Sequence, residues 1–170
     1  VGARLMDHRA DLLPLAQQGA QALRDGRLVA IPTDTQYALS VLARRGGAVM
    51  HCYALKGRPD SEAMPIFLPS IDALDTVATD FDGGVRELAA ATWPGALTLI
   101  LPRNPSWESL AVPSKTVAVR IPDHPLTLAL LDEIAEPITG SSANRHGEPA
   151  ALNAEEVRAV FGDEVLVLPD

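Results

Sequence analysis

Fourteen prolines and twelve glycines cut this 170-residue chain into short pieces. No apolar run between them approaches the ~20 residues that a membrane-spanning helix needs. The runs that do occur are strand-length. Leu28–Ile31 is closed by Pro32, Pro65–Leu68 sits among polar residues, and Val165–Leu168 comes near the end. Longer segments with helical spacing lie between them. The chain is therefore constrained to many short strands with helices packed against them.

The helical segments have readable ends. Leu12, Leu15, Ala16, Ala20 and Leu23 share one face of a helix predicted over 11–25, with Gly26 as its stop. A second helix spans 47–55 and ends at Gly57, which puts Lys56 in its last turn. Ser70 is a candidate cap for a helix over 71–78, and another helix covers 84–92. Trp93-Pro94-Gly95 is a turn. The spacing of Leu97, Leu99 and Leu101 predicts a strand over 96–101, and 102–115 is a loop. The β-branched alternation of 116–121 predicts a strand. Pro125 opens a helix to about Ile134, and 137–139 is a short strand. Asn153 and Glu156 form a capping box before the last helix. Strands follow one another without an intervening helix in places. That points to an α/β single domain with a twisted mixed parallel/antiparallel sheet and flanking helices.

Composition excludes several classes. With 47% hydrophobic and 21% charged residues the chain can build a core and hide roughly 70% of its unfolded surface. One cysteine, Cys52, excludes a disulfide scaffold and any multi-Cys metal site. No signal peptide is visible in Val1–Asp11 and only one cysteine is present, so the expected compartment is the cytoplasm, while the opening Val in place of Met points to a trimmed natural start. The net charge is -8, and only seven residues are aromatic. A surface built to grip nucleic acid usually runs basic and carries aromatic platforms. The twelve arginines against two lysines single out Lys56 as a position with a specific need.

Familiar catalytic signatures are missing: no P-loop, no dinucleotide fingerprint, no H-E-x-x-H, no G-x-S-x-G. The four histidines lie too far apart to read as metal ligands, so no metal site is expected. Four polar clusters stand at strand or helix ends instead. They are Pro32–Tyr37, Lys56–Pro59, Arg120 inside the apolar strand Val117–Ile121, and Gly140–Asn144. Ligands of open α/β sheets bind where such loops converge. Lysine and arginine suit phosphates, and Ser and Asn supply uncharged hydrogen bonds. Together they suit a nucleoside triphosphate and a small zwitterion. Each also has a plainer reading: a turn, a helix stop, a cross-strand ion pair, a helix cap.

The order of the clusters resembles the YrdC-like family, the threonylcarbamoyl-adenylate synthases that begin the t6A modification of tRNA. The resemblance runs from about Gly26 to Phe161. It rests on Pro32-Thr33-Asp34-Thr35-x-Tyr37, Leu55-Lys56-Gly57-Arg58-Pro59, Trp93-Pro94-Gly95-x-Leu97-Thr98, Val117–Pro122 and Ser142-Ala143-Asn144-x-x-Gly147. It implies a nucleotidyltransferase that joins L-threonine, bicarbonate and ATP, with Mg2+ on the ATP, into threonylcarbamoyl-AMP and pyrophosphate. It implies an open concave cavity with Lys56 and Arg58 as catalytic residues. Lys56, Arg58, Thr116, Ser142 and Asn144 would bind ATP, and Thr35, Arg120 and Gly140 threonine. An Arg in an apolar strand needs a partner, and the carry-over gives it the threonine carboxylate. Weak RNA binding in the cavity and partner proteins of the t6A pathway are further expectations of the resemblance.

Departures from the family pattern define the alternatives. Gln36 and Ala38 stand where many members have Val and Gly, and Pro69 stands where many have His. The family's closing Ser-Thr segment does not follow the last strand, so residues 1–170 are expected to form a YrdC-like domain that either is part of a longer chain or has a more open site. The alternatives are an RNA-binding module and a catalytically altered nucleotide-binding paralogue.

Overall fold

Eight short strands fall into two four-stranded mixed sheets. The computed structural model describes the backbone of residues 2–170 and the side chains of residues 11–170. The first sheet has the order β7-β2-β1-β8, with β1 (Val29–Ile31), β2 (Ala38–Ser40), β7 (Ser141–Ser142) and β8 (Leu166–Val167). β1 runs antiparallel to β2 and parallel to β8. The second has the order β4-β5-β3-β6, with β3 (Ile66–Phe67), β4 (Leu99–Pro102), β5 (Thr116–Arg120) and β6 (Ile138–Thr139). Here β5 pairs antiparallel with β4 and parallel with β3.

The mixed pairing agrees with the sequence expectation, but the single sheet divides in two. The division falls at Gly140, the one residue between β6 and β7. The chain leaves the second sheet before Gly140 and enters the first after it. Thr139 stitches the two sheets together: its Oγ1 accepts from Val41 N at 3.0 Å, and its own N donates to Val41 O at 2.9 Å.

The helices are α1 (Gly2–Arg24), α2 (Gly46–Lys56), α3 (Leu74–Val77), α4 (Gly83–Thr92), α5 (Pro125–Ile134) and α6 (Ala154–Phe161). Ala16, Ala20 and Leu23 of α1 pack with Leu126, Leu130 and Leu131 of α5 under β1, the face that the periodicity predicts. A larger core holds Leu39, Cys52, Tyr53, Ile66, Val117, Val119 and Phe161. Cys52 is fully buried there, and burial pushes its thiol up to about 11, so it is inert core at neutral pH.

Several ends follow the local signals. Gly57 takes the left-handed conformation at φ 65° that a glycine stop provides. Asn153 Oδ1 accepts from Glu156 N at 2.9 Å, and Glu156 reaches back to Leu152 N at 2.7 Å. Other expectations change. Ser70 makes no side-chain cap, and the predicted helix over 71–78 is a 3-10 turn (Ile71–Ala73) followed by α3. β4 starts at Leu99 rather than residue 96. Trp93 Nε1 donates to Leu97 O at 2.7 Å, and Gly95 N donates to Ile121 O at 2.9 Å. These bonds fold 93–98 back as a turn. Strands β2 and β7 were not expected: β2 directly follows the Pro32–Tyr37 cluster, and β7 lies inside the Gly140–Asn144 cluster.

Gly140 is irreplaceable for a packing reason. A Cβ there would sit 2.3 Å from Cε1 of the Phe67 ring. Gly140→Ala should destabilise the fold by roughly 1–3 kcal/mol, the scale of overpacking. A urea titration should show a lower midpoint with an unchanged slope.

Candidate active site

A cavity of about 350 Å3 opens between the two sheets. Its first wall is the 33–36 turn with Tyr37 and Ala38 at the start of β2, and β7 stands beside them. Its second wall is Phe67 of β3 and Arg120 at the end of β5. Arg58, just past α2, and Thr98, just before β4, complete the rim. The lining carries two arginines and no carboxylate. The whole chain is acidic, yet the charged side chains that face this concavity are both basic, and their carboxylate partners, Asp34 and Glu62, lie off the lining.

Arg120 is the most constrained side chain here. Only 10% of its side chain is exposed. Its Nη2 forms an ion pair with Asp34 Oδ1, its Nε donates to Gly95 O at 2.8 Å, and its Nη1 donates to Thr35 Oγ1 at 3.2 Å. Asp34 Oδ1 also accepts Asp123 N at 3.0 Å. This corrects the sequence argument. Arg120 does not lack a protein partner, because Asp34 supplies the counter-charge that it needs. Three of the five guanidinium N–H donors are engaged, and two remain.

The turn that carries Asp34 and Thr35 is built by Thr33. Its Oγ1 accepts from Thr35 N and Gln36 N, both at 3.1 Å, and donates to Gln36 O at 2.6 Å. This is a side-chain-closed turn of the kind Ser and Thr form. It holds Thr35 on the lining, 3.0 Å from Thr33 between their hydroxyl oxygens.

Lys56 behaves differently from its expected role. It is buried, and it lies behind the lining rather than on it. Its Nζ donates to Ser142 O, to Asn144 O at 2.8 Å and to Asn144 Oδ1 at 3.2 Å. Three donors thus meet three acceptors. Burial pushes the ammonium down to about 8, so at pH 7 it still carries its charge and all three protons.

Asn144 is equally committed. Its Oδ1 accepts Ser142 Oγ at 2.6 Å, and its Nδ2 donates to Glu148 O at 2.6 Å and Arg145 O at 2.9 Å. The expected extended backbone ends at Ser142: Asn144 N donates to Ser142 O at 3.0 Å across a tight turn, and of this cluster Gly140, Ser141 and Ser142 reach the cavity while Asn144 does not. No helix begins at either residue, so the cap reading does not hold. Arg58 does line the cavity. Its Nη2 donates to Ala63 O at 2.9 Å, and its Nε lies 3.5 Å from Glu62. Thr116 stands outside the lining, exposed at the far end of β5. It shares a strand face with Arg120, about 13 Å along the strand.

A family profile named for Sua5, YciO and YrdC, and described as "Telomere recombination", matches residues 21–170. The chain belongs to the Sua5/YciO/YrdC family. It is 40% identical over 146 residues to a Bacillus subtilis protein named threonylcarbamoyl-AMP synthase, covering 85% of this chain and 42% of that one. A Chromohalobacter salexigens protein of the same name is 36% identical, covering 86% and 80%. The crystal structure of P. abyssi Sua5 complexed with L-threonine superposes with a TM-score of 0.84 at 32% identity, covering 91% of this chain and 46% of that one. The chain thus spans less than half the length of the B. subtilis and P. abyssi relatives.

Two of the departures from the Sua5/YciO/YrdC pattern, Gln36 and Ala38, line the cavity. Ala38 lies in β2, paired with Ser142, where the extended backbone accepts any side chain. Pro69 is not on the lining. Sequence reasoning gave no role to Asp34, Thr33 or Thr98. Asp34 stood in a recognised cluster, and an acid there is the natural counter-charge for an arginine at a neighbouring strand end. For Thr33 the signal was the Thr-x-Thr spacing of a closed turn. Among the described residues no group of three His, Cys, Asp or Glu side chains is placed to hold a metal ion. The lining therefore offers no protein cage for Mg2+.

Lys56→Met keeps the length and removes the three donors. It should lower stability by about 2 kcal/mol or more, because buried acceptors lose their partners. Guanidinium denaturation checks this. A lysine that served only as a phosphate ligand would leave stability unchanged.

Proposed function

We propose that this domain forms threonylcarbamoyl-AMP from L-threonine, bicarbonate and ATP, for t6A modification of tRNA. The observation that carries the reading is a cavity whose lining holds Arg58 and Arg120 and no carboxylate, in a chain whose relatives bear that enzyme's name.

The reaction needs no protein nucleophile. The threonine amine attacks carbon dioxide or bicarbonate to give a carbamate, with loss of water in the bicarbonate case. A carbamate oxygen then attacks the α-phosphorus of ATP, and pyrophosphate leaves. The chain's task is positioning and charge neutralisation. In this reading the two free donors of Arg120 take the threonine carboxylate as a fork. Thr35 sits beside that carboxylate, and Gly140, packed directly against the Phe67 ring, presents its backbone to the amino acid. Arg58 meets phosphate oxygens, and Ser142 hydrogen-bonds the nucleotide. Lys56 and Asn144 hold Ser142 in place from behind. Mg2+ would enter with the triphosphate and reduce its charge, bound by phosphate oxygens rather than by a set of protein ligands.

The cavity is at the lower end of the usual size for ligand sites. It takes a small zwitterion whole, whereas the nucleotide must extend beyond it. The 32% identical neighbour crystallised with L-threonine supports the amino-acid half of this reading.

Pyrophosphate release from ATP should require both threonine and bicarbonate, and omission of either should abolish it. Release that is independent of threonine would overturn the reading. Arg58→Ala should weaken ATP binding by roughly 1.5–3 kcal/mol, the scale of a charged hydrogen bond. Calorimetry should show threonine affinity unchanged in that variant.

A further inference from the structure

Gln36 departs from the family pattern and lies on the cavity lining. Its backbone is engaged: its N donates to Thr33 Oγ1 at 3.1 Å, and its O accepts from Thr33 Oγ1 at 2.6 Å. Its carboxamide is not, and has no hydrogen-bond partner among the described residues. Most other polar side chains of the lining are committed. Thr33 closes the turn, Thr35 accepts from Arg120, Tyr37 Oη donates to Leu168 O at 3.0 Å, and Ser142 Oγ donates to Asn144 Oδ1. Ser141 Oγ also lacks a partner, but Ser141 pairs with Leu39, whose face is the larger core.

Strand alternation fixes the side of the sheet that Gln36 takes. Tyr37 and Leu39 both lie in the larger core, so Gln36 and Ala38 face the other way. Ala38 shares the smaller core with Phe67, and both line the cavity. The backbone stays extended through Tyr37, whose O accepts from Ala143 N at 2.9 Å and continues the β2–β7 ladder by one residue. The order along this wall is fixed as well. Thr35, the preceding residue, holds Arg120. Ala38, about 7 Å further along the strand, pairs with Ser142. Gln36 therefore stands between the arginine end of the cavity and Ser142.

We infer that the Gln36 carboxamide holds the one-carbon unit of the reaction, bicarbonate and then the carbamate made from it. The inference rests on the proposed function, in which the threonine carboxylate lies at Arg120 and the nucleotide at Ser142. The carbon that joins them must lie between. As the threonine nitrogen bonds to the bicarbonate carbon, water leaves and the carbamate keeps one N–H. That N–H and one carbamate oxygen form a donor–acceptor edge. A carboxamide presents the complementary edge, an N–H donor beside a carbonyl acceptor. Nε2 donates to the carbamate oxygen and Oε1 accepts the carbamate N–H, which leaves the second oxygen free to attack the α-phosphorus. Bicarbonate offers the same edge, an O–H beside an oxygen acceptor. A valine at this place, as in many family members, can make neither bond. Gln36 thus gives this chain a grip on the one-carbon unit that does not involve threonine or ATP.

The test compares Gln36→Val and Gln36→Glu with the parent, using pyrophosphate release with bicarbonate varied at saturating threonine and ATP. The Gln36 backbone, not its side chain, closes the turn, so both variants should melt like the parent. In Gln36→Val, kcat/KM for bicarbonate should fall about tenfold, the scale of a lost hydrogen bond to a charged group. Gln36→Glu keeps the size but replaces the donor by a negative charge, so it should lose at least as much. Calorimetric affinities for L-threonine and for ATP, each measured without bicarbonate, should match the parent in both variants. An unchanged bicarbonate dependence in Gln36→Val overturns the inference and leaves the proposed function standing. So does a Gln36→Glu that keeps the parent's dependence, since side-chain size alone would then matter. A loss of threonine affinity without bicarbonate also overturns it, because Gln36 would then read the amino acid. A parent that releases no pyrophosphate at any bicarbonate concentration defeats the proposed function itself.

Discussion

Arg120 ties together parts of the chain that lie far apart in sequence. It sits at the end of β5 in the second sheet, and its partners Asp34 and Thr35 belong to the turn between β1 and β2 in the first. A third partner, Gly95 O, fixes the turn before β4. A buried guanidinium is costly unless it is paired and hydrogen-bonded. That cost makes the relative placement of these three segments specific, and the cavity is the space they enclose. The same fork that orders the walls keeps two donors in hand. A carboxylate entering the cavity meets a charge already held in place, so little side-chain entropy is lost on binding.

Lys56 performs the matching task on the other side. α2 delivers its ammonium under β7, where it gathers two backbone carbonyls and the Asn144 amide. An arginine's planar fork would not converge on three oxygens in this way. That gives physical content to the use of lysine in a chain that otherwise prefers arginine. Local chemistry here also outweighs bulk charge. A net charge of -8 coexists with a concavity lined by two arginines and no acid.

Much of the fold was legible because its signals are local. The apolar stripe of α1, the Gly57 stop and the Asn153–Glu156 cap depend on neighbours within a few residues, and all appear as read. β2 and β7 were not legible. They are three and two residues long, wholly and partly buried in turn, and written mostly in small residues whose alternation carries no polarity contrast. The division into two sheets depends on Gly140 meeting Phe67, which lies 73 positions away in sequence. The clusters of the candidate site were found, but the layering within them was not. Lys56 and Arg58 are two residues apart, and one is behind the wall while the other is on it. Only the path of the chain past Gly57 decides that. Asp34 was visible as part of a cluster, yet its pairing with Arg120 spans 86 positions.

The central claim is that Arg120, held by Asp34, receives the carboxylate of an amino acid. Calorimetric titration with L-threonine and with L-threoninol, which lacks only the carboxylate, tests it most directly. The account predicts that threoninol binds at least tenfold more weakly, and that Asp34→Asn reduces this difference by loosening the fork. Equal affinities for the two ligands would contradict it and leave Arg120 as a structural link between the sheets.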